Sequence, residues 1–258
     1  KLLHIVTVKG KGFAPAEREQ TKWHASSSPF DKITGKSLAA PSTGSKPPKY
    51  QDVFGEALVE LARDDERIVA ITPAMPSGSS LWPMMNTFPE RSFDVGIAEQ
   101  HAVTFGAGLA TQGKKVFVAI YSTFLQRGYD QFVHDVAIQK LPVVFCIDRA
   151  GVAGADGPTH HGLYDIPYLR AIPHVVVSSP RNEQELRNMM YSASTYEEAS
   201  WAIRYPRGAA TGMAVDKEFQ WVEPGTGVCL RKDGDVAVLT LGPVAAYAAE
   251  AIERAEAE

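Results

Sequence analysis
From Tyr50 onward, short continuous apolar runs alternate with stretches of helical period. Val53, Phe54, Ala57, Leu58 and Leu61 fall on one face of a helix running from residue 50 to about 63. Strands are predicted at 68–72, 92–95, 115–121, 142–148, 174–178 and 201–205, and helices at 98–111, 124–139 and 181–194. The run Val143-Val144-Phe145-Cys146-Ile147 shows no polar alternation. A strand with one wet face would show it, so this one must be covered on both sides. The fold class expected is α/β, a parallel sheet sandwiched by helices.

The flanks read differently. Residues 1–8 look like a strand cut at its start, and with no initiator Met the chain is expected to be a fragment. Residues 25–49 are rich in Ser, Pro, Gly and Lys, the signature of an interdomain linker. If fully flexible, such a stretch spans roughly 25–30 Å on average. After Gly208 the pattern becomes irregular, and 236–242 and 244–256 then predict one more strand and helix. The domain expectation is therefore an end piece at 1–24, a linker at 25–49, a central domain at 50–212, and the start of a further α/β domain at 213–258.

In an open parallel sheet, ligands sit at the carboxyl ends of the strands, so the residues just past each strand are informative. The strand at 92–95 delivers Glu99, at the corner where a helix opens among Val95, Ile97, Ala98, Ala102 and Val103. A carboxylate in apolar company is costly unless paired or hydrogen-bonded. It reads either as a helix N-terminal carboxylate near the dipole or as a buried proton-transfer group. The strand at 115–121 delivers Tyr121, Phe124 and Arg127. The strand at 142–148 delivers Arg149 and a glycine-rich loop with Asp156 and His160 four positions apart, and the strand at 201–205 delivers Arg207. Arginine forks suit a phosphate, although single arginines are also common on surfaces. Asp156 and His160 suit general acid–base work or contact with substrate hydroxyls. His160-His161 has no third ligand spaced to join it as a metal site. His24, before the linker, reads as a surface residue or as a group folded over the strand ends; Phe13 reads as a loop anchor.

Charge and composition narrow the classes. Net charge is −4 with no basic run, which argues against a nucleic-acid surface. The longest apolar runs, 116–121 and 142–147, are far too short to span a bilayer. The two cysteines, Cys146 and Cys229, are isolated, suit a reducing cytosol, and are expected to be packing residues.

Taken together, several segments resemble one family. They are Lys9-Gly10-Lys11-Gly12-Phe13, Trp23-His24-Ala25, Asp94-Val95-Gly96-Ile97-Ala98-Glu99-Gln100-His101, Tyr121-Ser122-Thr123-Phe124-Leu125-Gln126-Arg127, Asp148-Arg149-Ala150-Gly151, Gly154-Ala155-Asp156-Gly157-Pro158-Thr159-His160 and Arg204-Tyr205-Pro206-Arg207-Gly208. In this order they look like the 1-deoxy-D-xylulose-5-phosphate synthase family of transketolase-like, thiamine-diphosphate enzymes. The resemblance implies the pyrimidine-binding domain of that fold, flanked by pieces of an N-terminal and a C-terminal domain. It implies a transferase that condenses pyruvate with D-glyceraldehyde 3-phosphate, with loss of CO2, on the way to isoprenoids and thiamine. Glu99 would hydrogen-bond the aminopyrimidine ring of thiamine diphosphate and favour its imino tautomer, and Phe124 would stack on that ring. Tyr121, Arg127, Arg149 and Arg207 would surround the acceptor and its phosphate. Asp156 and His160 would contact the acceptor's oxygens, and His24 would reach into the site. Phe13 stands where the family usually has a cofactor-contacting tyrosine, so the ring is kept and the hydroxyl lost.

The family's Mg2+ site, a Gly-Asp-Gly segment followed by an Asn, is not in this chain, and no residue here is assigned as a metal ligand. The chain alone is therefore expected to be inactive. A cytoplasmic homodimer is the family's habit. Another thiamine-diphosphate enzyme is the nearest alternative, and a non-catalytic assembly domain a further one. Gly106-Ala107-Gly108-Leu109-Ala110-Thr111 is only a partial dinucleotide fingerprint and lies inside a predicted helix.

Overall fold
The computed structural model describes residues 1–24, 28–39, 46–232 and 234–257. It divides into two compact units, Lys1–Ser45 and Lys46–Glu258. Residues 25–27 and 40–45 of the expected linker, with Ala25 of the Trp23-His24-Ala25 motif, lie outside the described residues, as do Asp233 and Glu258 of the expected C-terminal piece.

The first unit carries one short helix, α1 (Ala14–Arg18), with Pro15 in its first turn. Phe13 and Trp23 meet edge to face at 5.0 Å, and Trp23 and Phe30 at 4.7 Å. Asp31 Oδ1 accepts from the Ile33 and Thr34 amides at 3.0 and 2.6 Å, closing a turn bridged by Phe30 and Ser37. The strand expected at 1–8 is not formed; these residues are irregular and exposed. A strand needs a neighbouring ladder, and none among the described residues pairs with it.

The second unit begins with α2 (Tyr50–Asp64), β1 (Ile68–Thr72), α3 (Trp82–Thr87) and β2 (Ser92–Asp94). It continues through α4 (Glu99–Ala110), β3 (Lys115–Tyr121), α5 (Ser122–Leu125), α6 (Tyr129–Gln131) and β4 (Val143–Asp148). Then come α7 (Asp165–Arg170), β5 (Val175–Ser178), α8 (Glu183–Thr195), β6 (Ser200–Arg204) and α9 (Val244–Ala257). The strands form one parallel sheet in the order β2-β1-β3-β4-β6-β5.

Side-chain alternation along the central strands builds two apolar layers. Phe117, Ala119, Val144 and Cys146 pack with Leu58 of α2 and Leu186 and Met190 of α8. Val116, Val118, Ile120, Val143, Phe145 and Ile147 pack on the other side with Ala102 and Val103 of α4 and Leu169 of α7. This double burial is why the strands read as unbroken apolar runs. The connection from β1 leads outward to β2, whereas that from β3 leads the other way to β4. The carboxyl ends of β1 and β3 therefore flank a topological switch point, where an open α/β sheet forms its crevice.

Three further expectations are corrected. The helix expected at 124–139 breaks into α5, a 3-10 turn at 126–128, α6 and a π-helical segment at 132–137. Gly128 leaves helical dihedrals (φ −100°, ψ 14°) where the chain meets α4; a Cβ there would lie 3.0 Å from Val103 Cγ2. Such π segments are often functional features rather than defects. The strand expected at 236–242 is irregular, with Leu239 95% exposed, because no described strand offers it an edge. Cys229 is exposed in an irregular segment and packs into no core, whereas Cys146 is buried in β4.

The irregular stretch at 209–222 is nevertheless held down. Backbone amides of Gly212, Asp216, Gln220 and Val222 donate to side chains of Glu183, Gln184, Asn188 and Ser192, all on α8. Irregular backbone needs such partners when it lies against a core. Among the described residues no helix is long and apolar enough to cross a membrane.

Candidate active site
The turn after β2 places the carboxylate that opens α4. Asp94 Oδ1 accepts from the amides of Ala74 and Gly96 at 2.8 and 3.0 Å, tying the ends of β1 and β2 together. Gly96 takes φ +73°, which glycine adopts without penalty, and Glu99 follows as the first residue of α4. Glu99 is buried, 5% exposed, at the positive end of the helix dipole. Its ion-pair partner among the described residues is Arg127, with Nη1 3.8 Å from Oε1. That separation is too long for a hydrogen bond.

Because α5 follows β3 directly, Tyr121 and Phe124 stand one turn apart. Their rings stack at 5.5 Å with 14° between planes. The Arg127 guanidinium carbon lies 5.5 Å from the Phe124 centroid. His160 meets Phe124 at 5.4 Å and Tyr121 at 6.4 Å, both edge-on. Burial pushes the Tyr121 hydroxyl up to about 12, against the opposing pull of Arg149.

β4 ends on Asp148, which is fully buried, and Arg149 follows in the left-handed region at φ +57°. Arg149 Nη1 donates to Gln51 Oε1 at 2.9 Å, to the Gly78 carbonyl at 2.7 Å and to the Asp148 carboxylate. Its guanidinium carbon sits 4.1 Å from the Tyr121 ring centroid. Burial pushes Asp148 up to about 6 even though Arg149 pulls it down. Asp156 Oδ2 lies 2.8 Å from Arg207 Nε and 3.6 Å from Arg149 Nε.

The loop bearing Asp156 and His160 is pinned at both ends. Thr123 Oγ1 donates to the Thr159 carbonyl at 3.1 Å, and Gly151 and Gly162 exchange two backbone hydrogen bonds of 2.8 Å. A Cβ at Gly162 would lie 2.4 Å from the Arg149 carbonyl, so only glycine lets the loop close there. His161 turns inward and accepts from the Ala153 amide at 3.0 Å, while His160 bonds Thr159 Oγ1 at 3.0 Å. Adjacent histidines thus do separate jobs. Among the described residues no group of three His, Cys, Asp or Glu gathers as a cation site.

The contacts run without a break from Glu99 through Arg127, Phe124, Tyr121, Arg149 and Asp156 to Arg207, with His160 against two of the rings. Phe13 and His24 belong to the first unit, where Phe13 packs on Trp23 and His24 Nδ1 meets Lys9 Nζ. Gln51 and Gly78 escaped the sequence reading. Gln51 sits in an ordinary helix start, and nothing local marks either as a partner of a residue far along the chain. The arrangement offers a largely buried carboxylate, flat rings and fixed positive charge along one sheet edge. That combination suits proton transfer beside an anionic substrate.

Known proteins share sequence and fold with this chain. The family described as transketolase, pyrimidine binding domain, matches residues 46–212. A 1-deoxy-D-xylulose-5-phosphate synthase from Bacteroides fragilis is 53% identical over 258 residues, covering 100% of this chain and 40% of the relative. The Chlorobaculum tepidum protein of the same name is 56% identical over 257 residues, again 100% of this chain and 40% of the relative. The chain therefore spans 40% of the length of these relatives. Among solved structures, a split-gene transketolase described as an inactive beta4 tetramer superposes with a TM-score of 0.71 at 28% identity, over 82% of this chain and 68% of the other. Transketolase from Leishmania mexicana gives 0.58 at 18% identity, over 67% and 28%, and shares the fold.

Proposed function
The chain belongs to the transketolase pyrimidine-binding domain family, and on that premise we propose that it supplies the pyrimidine-side half of a 1-deoxy-D-xylulose-5-phosphate synthase site. The reaction would join the two-carbon remainder of pyruvate, after loss of CO2, to the aldehyde carbon of D-glyceraldehyde 3-phosphate. The observation that carries the reading is Glu99: a buried carboxylate at a helix start, with Arg127 3.8 Å away and no hydrogen-bond partner among the described residues. Such a group is incomplete without a donor. An aminopyrimidine ring offers one, and the Phe124 ring two contacts away offers an apolar face.

Thiamine diphosphate, when bound, would supply the carbon nucleophile and the electron sink. Glu99 would accept the hydrogen bond from the pyrimidine and hold the proton shared with it. Phe124 would pack against the ring and keep water from it. Arg127 and Arg207 present exposed guanidinium surface for the acceptor phosphate, with side chains 57% and 35% exposed. Arg149 is assigned to the same subsite. Asp156 and His160 would contact the acceptor's hydroxyl and carbonyl oxygens, and Tyr121 would wall the site. Phe13 and His24 are proposed as further site residues on the family likeness alone. The Mg2+ ligands would lie outside this chain. A cytoplasmic homodimer is the proposed state, and the segments flanking 50–212 are proposed as parts of neighbouring domains.

The test supplies pyruvate and D-glyceraldehyde 3-phosphate, with thiamine diphosphate and Mg2+, to a protein of the relatives' length that contains this chain. CO2 and 1-deoxy-D-xylulose 5-phosphate are expected in equal amounts, and none from residues 1–258 alone. Turnover of a ketose donor or of lipoamide in place of pyruvate condensation would contradict the reading.

A further inference from the structure
Arg149 is anchored through one nitrogen, Nη1, while its buried Nε keeps no hydrogen-bond partner among the described residues. Its side chain is 9% exposed, and the two hydrogens on Nη1 are already shared among three protein acceptors. Its backbone is held at φ +57°, a conformation costly for a residue with a Cβ. The acceptors come from distant parts of the chain. Gln51 lies in the first turn of α2, and its amide is itself oriented by Ser80 Oγ at 3.3 Å. Gly78 lies in the loop after β1, on the crevice formed by the switch in topology. A Cβ on Gly78 would fall 2.0 Å from the Tyr121 hydroxyl oxygen. Gly78 therefore does two things: its carbonyl fixes the guanidinium, and its missing side chain admits the phenol.

We propose that Gln51 and Gly78 are positioning residues for the aldehyde-acceptor subsite, holding the Arg149 guanidinium and the Tyr121 ring against each other. Arg149 is then held through Nη1 beside Tyr121 and Asp156, with its Nε left without a hydrogen-bond partner in the acceptor subsite. The identity of the acceptor rests on the function proposed above.

The experiment uses the longer protein that contains this chain. Gln51→Leu is expected to raise KM for D-glyceraldehyde 3-phosphate about 5- to 20-fold, with kcat and the pyruvate KM within about twofold. Gln51→Glu keeps an acceptor oxygen and should restore the acceptor KM. Gly78→Ala should raise the same KM, yet add little when Tyr121→Phe has already removed the hydroxyl it strikes. An unchanged acceptor KM in Gln51→Leu overturns the proposal. So does a rise shared equally by both substrates, or a Gly78→Ala loss that multiplies with that of Tyr121→Phe. Crystal structures of Gln51→Leu and Gly78→Ala give a readout independent of activity. Arg149 and Tyr121 should be displaced from their 4.1 Å contact, and finding them unmoved overturns the proposal. A wild-type protein that forms no product strikes at the proposed function instead, and the positioning claim is then decided by those structures.

Discussion

Replacing Glu99 by glutamine is expected to lower turnover of the longer protein by about a hundred- to ten-thousand-fold, the usual worth of a positioned acid–base group. The physical case begins with burial. Glu99 is 5% exposed, with Arg127 3.8 Å away, so it spends stability on holding a carboxylate with little access to water. Glutamine keeps the shape and loses the charge. It can still touch a pyrimidine ring but cannot hold the shared proton. Because the substitution removes a desolvated charge, the melting temperature should stay level or rise, the trade-off common at active sites. Steady-state kinetics beside thermal denaturation separates the two effects. Wild-type turnover in Glu99→Gln would end the assignment of this residue.

Arg149→Leu should destabilise the fold by about 3–5 kcal/mol at neutral pH, the cost of stripping one partner from a buried ion pair. Asp148 is fully buried and would be left either charged with no counter-charge beside it or forced to take up a proton. The sign with pH comes from linkage. In the native protein burial holds Asp148 up at about 6, above an ordinary aspartate near 3.8. The folded state therefore binds the proton more readily than the unfolded one. The contribution of this group to stability falls as pH rises through the window from about 4 to 6. In Arg149→Leu the pull of the guanidinium is gone, so the proton is held to a higher pH than in the native protein, and the penalty should shrink as pH falls toward 6 and level off below it. Urea unfolding of both proteins at pH 5 and pH 7.5 checks this. A penalty that stays constant across that range would show that Asp148 is not the group left stranded.

Much of this site was legible because strand ends in a parallel sheet converge by topology. Once Val143 to Ile147 read as a doubly buried strand, Arg149 had to emerge at the same edge as Tyr121, and β3 and β4 do pair Tyr121 with Asp148. Loop chemistry carried Asp156 and His160, whose glycines announce a tight path. What stayed hidden was long-range. Gln51 meets Arg149 across 98 positions, and no local pattern encodes that meeting. The broken helix after Phe124 was also hidden, because its cause is the approach of α4 to Gly128, a tertiary contact. The segments at 1–8 and 236–242 carry strand-like composition, but composition alone cannot supply a neighbouring edge.

The most direct test is a crystal structure of the longer protein with thiamine diphosphate bound. The Glu99 carboxylate is expected within hydrogen-bonding reach of a pyrimidine nitrogen, and the Phe124 ring against the pyrimidine face. A pyrimidine ring bound elsewhere, with Glu99 still facing only Arg127, would contradict the proposed site.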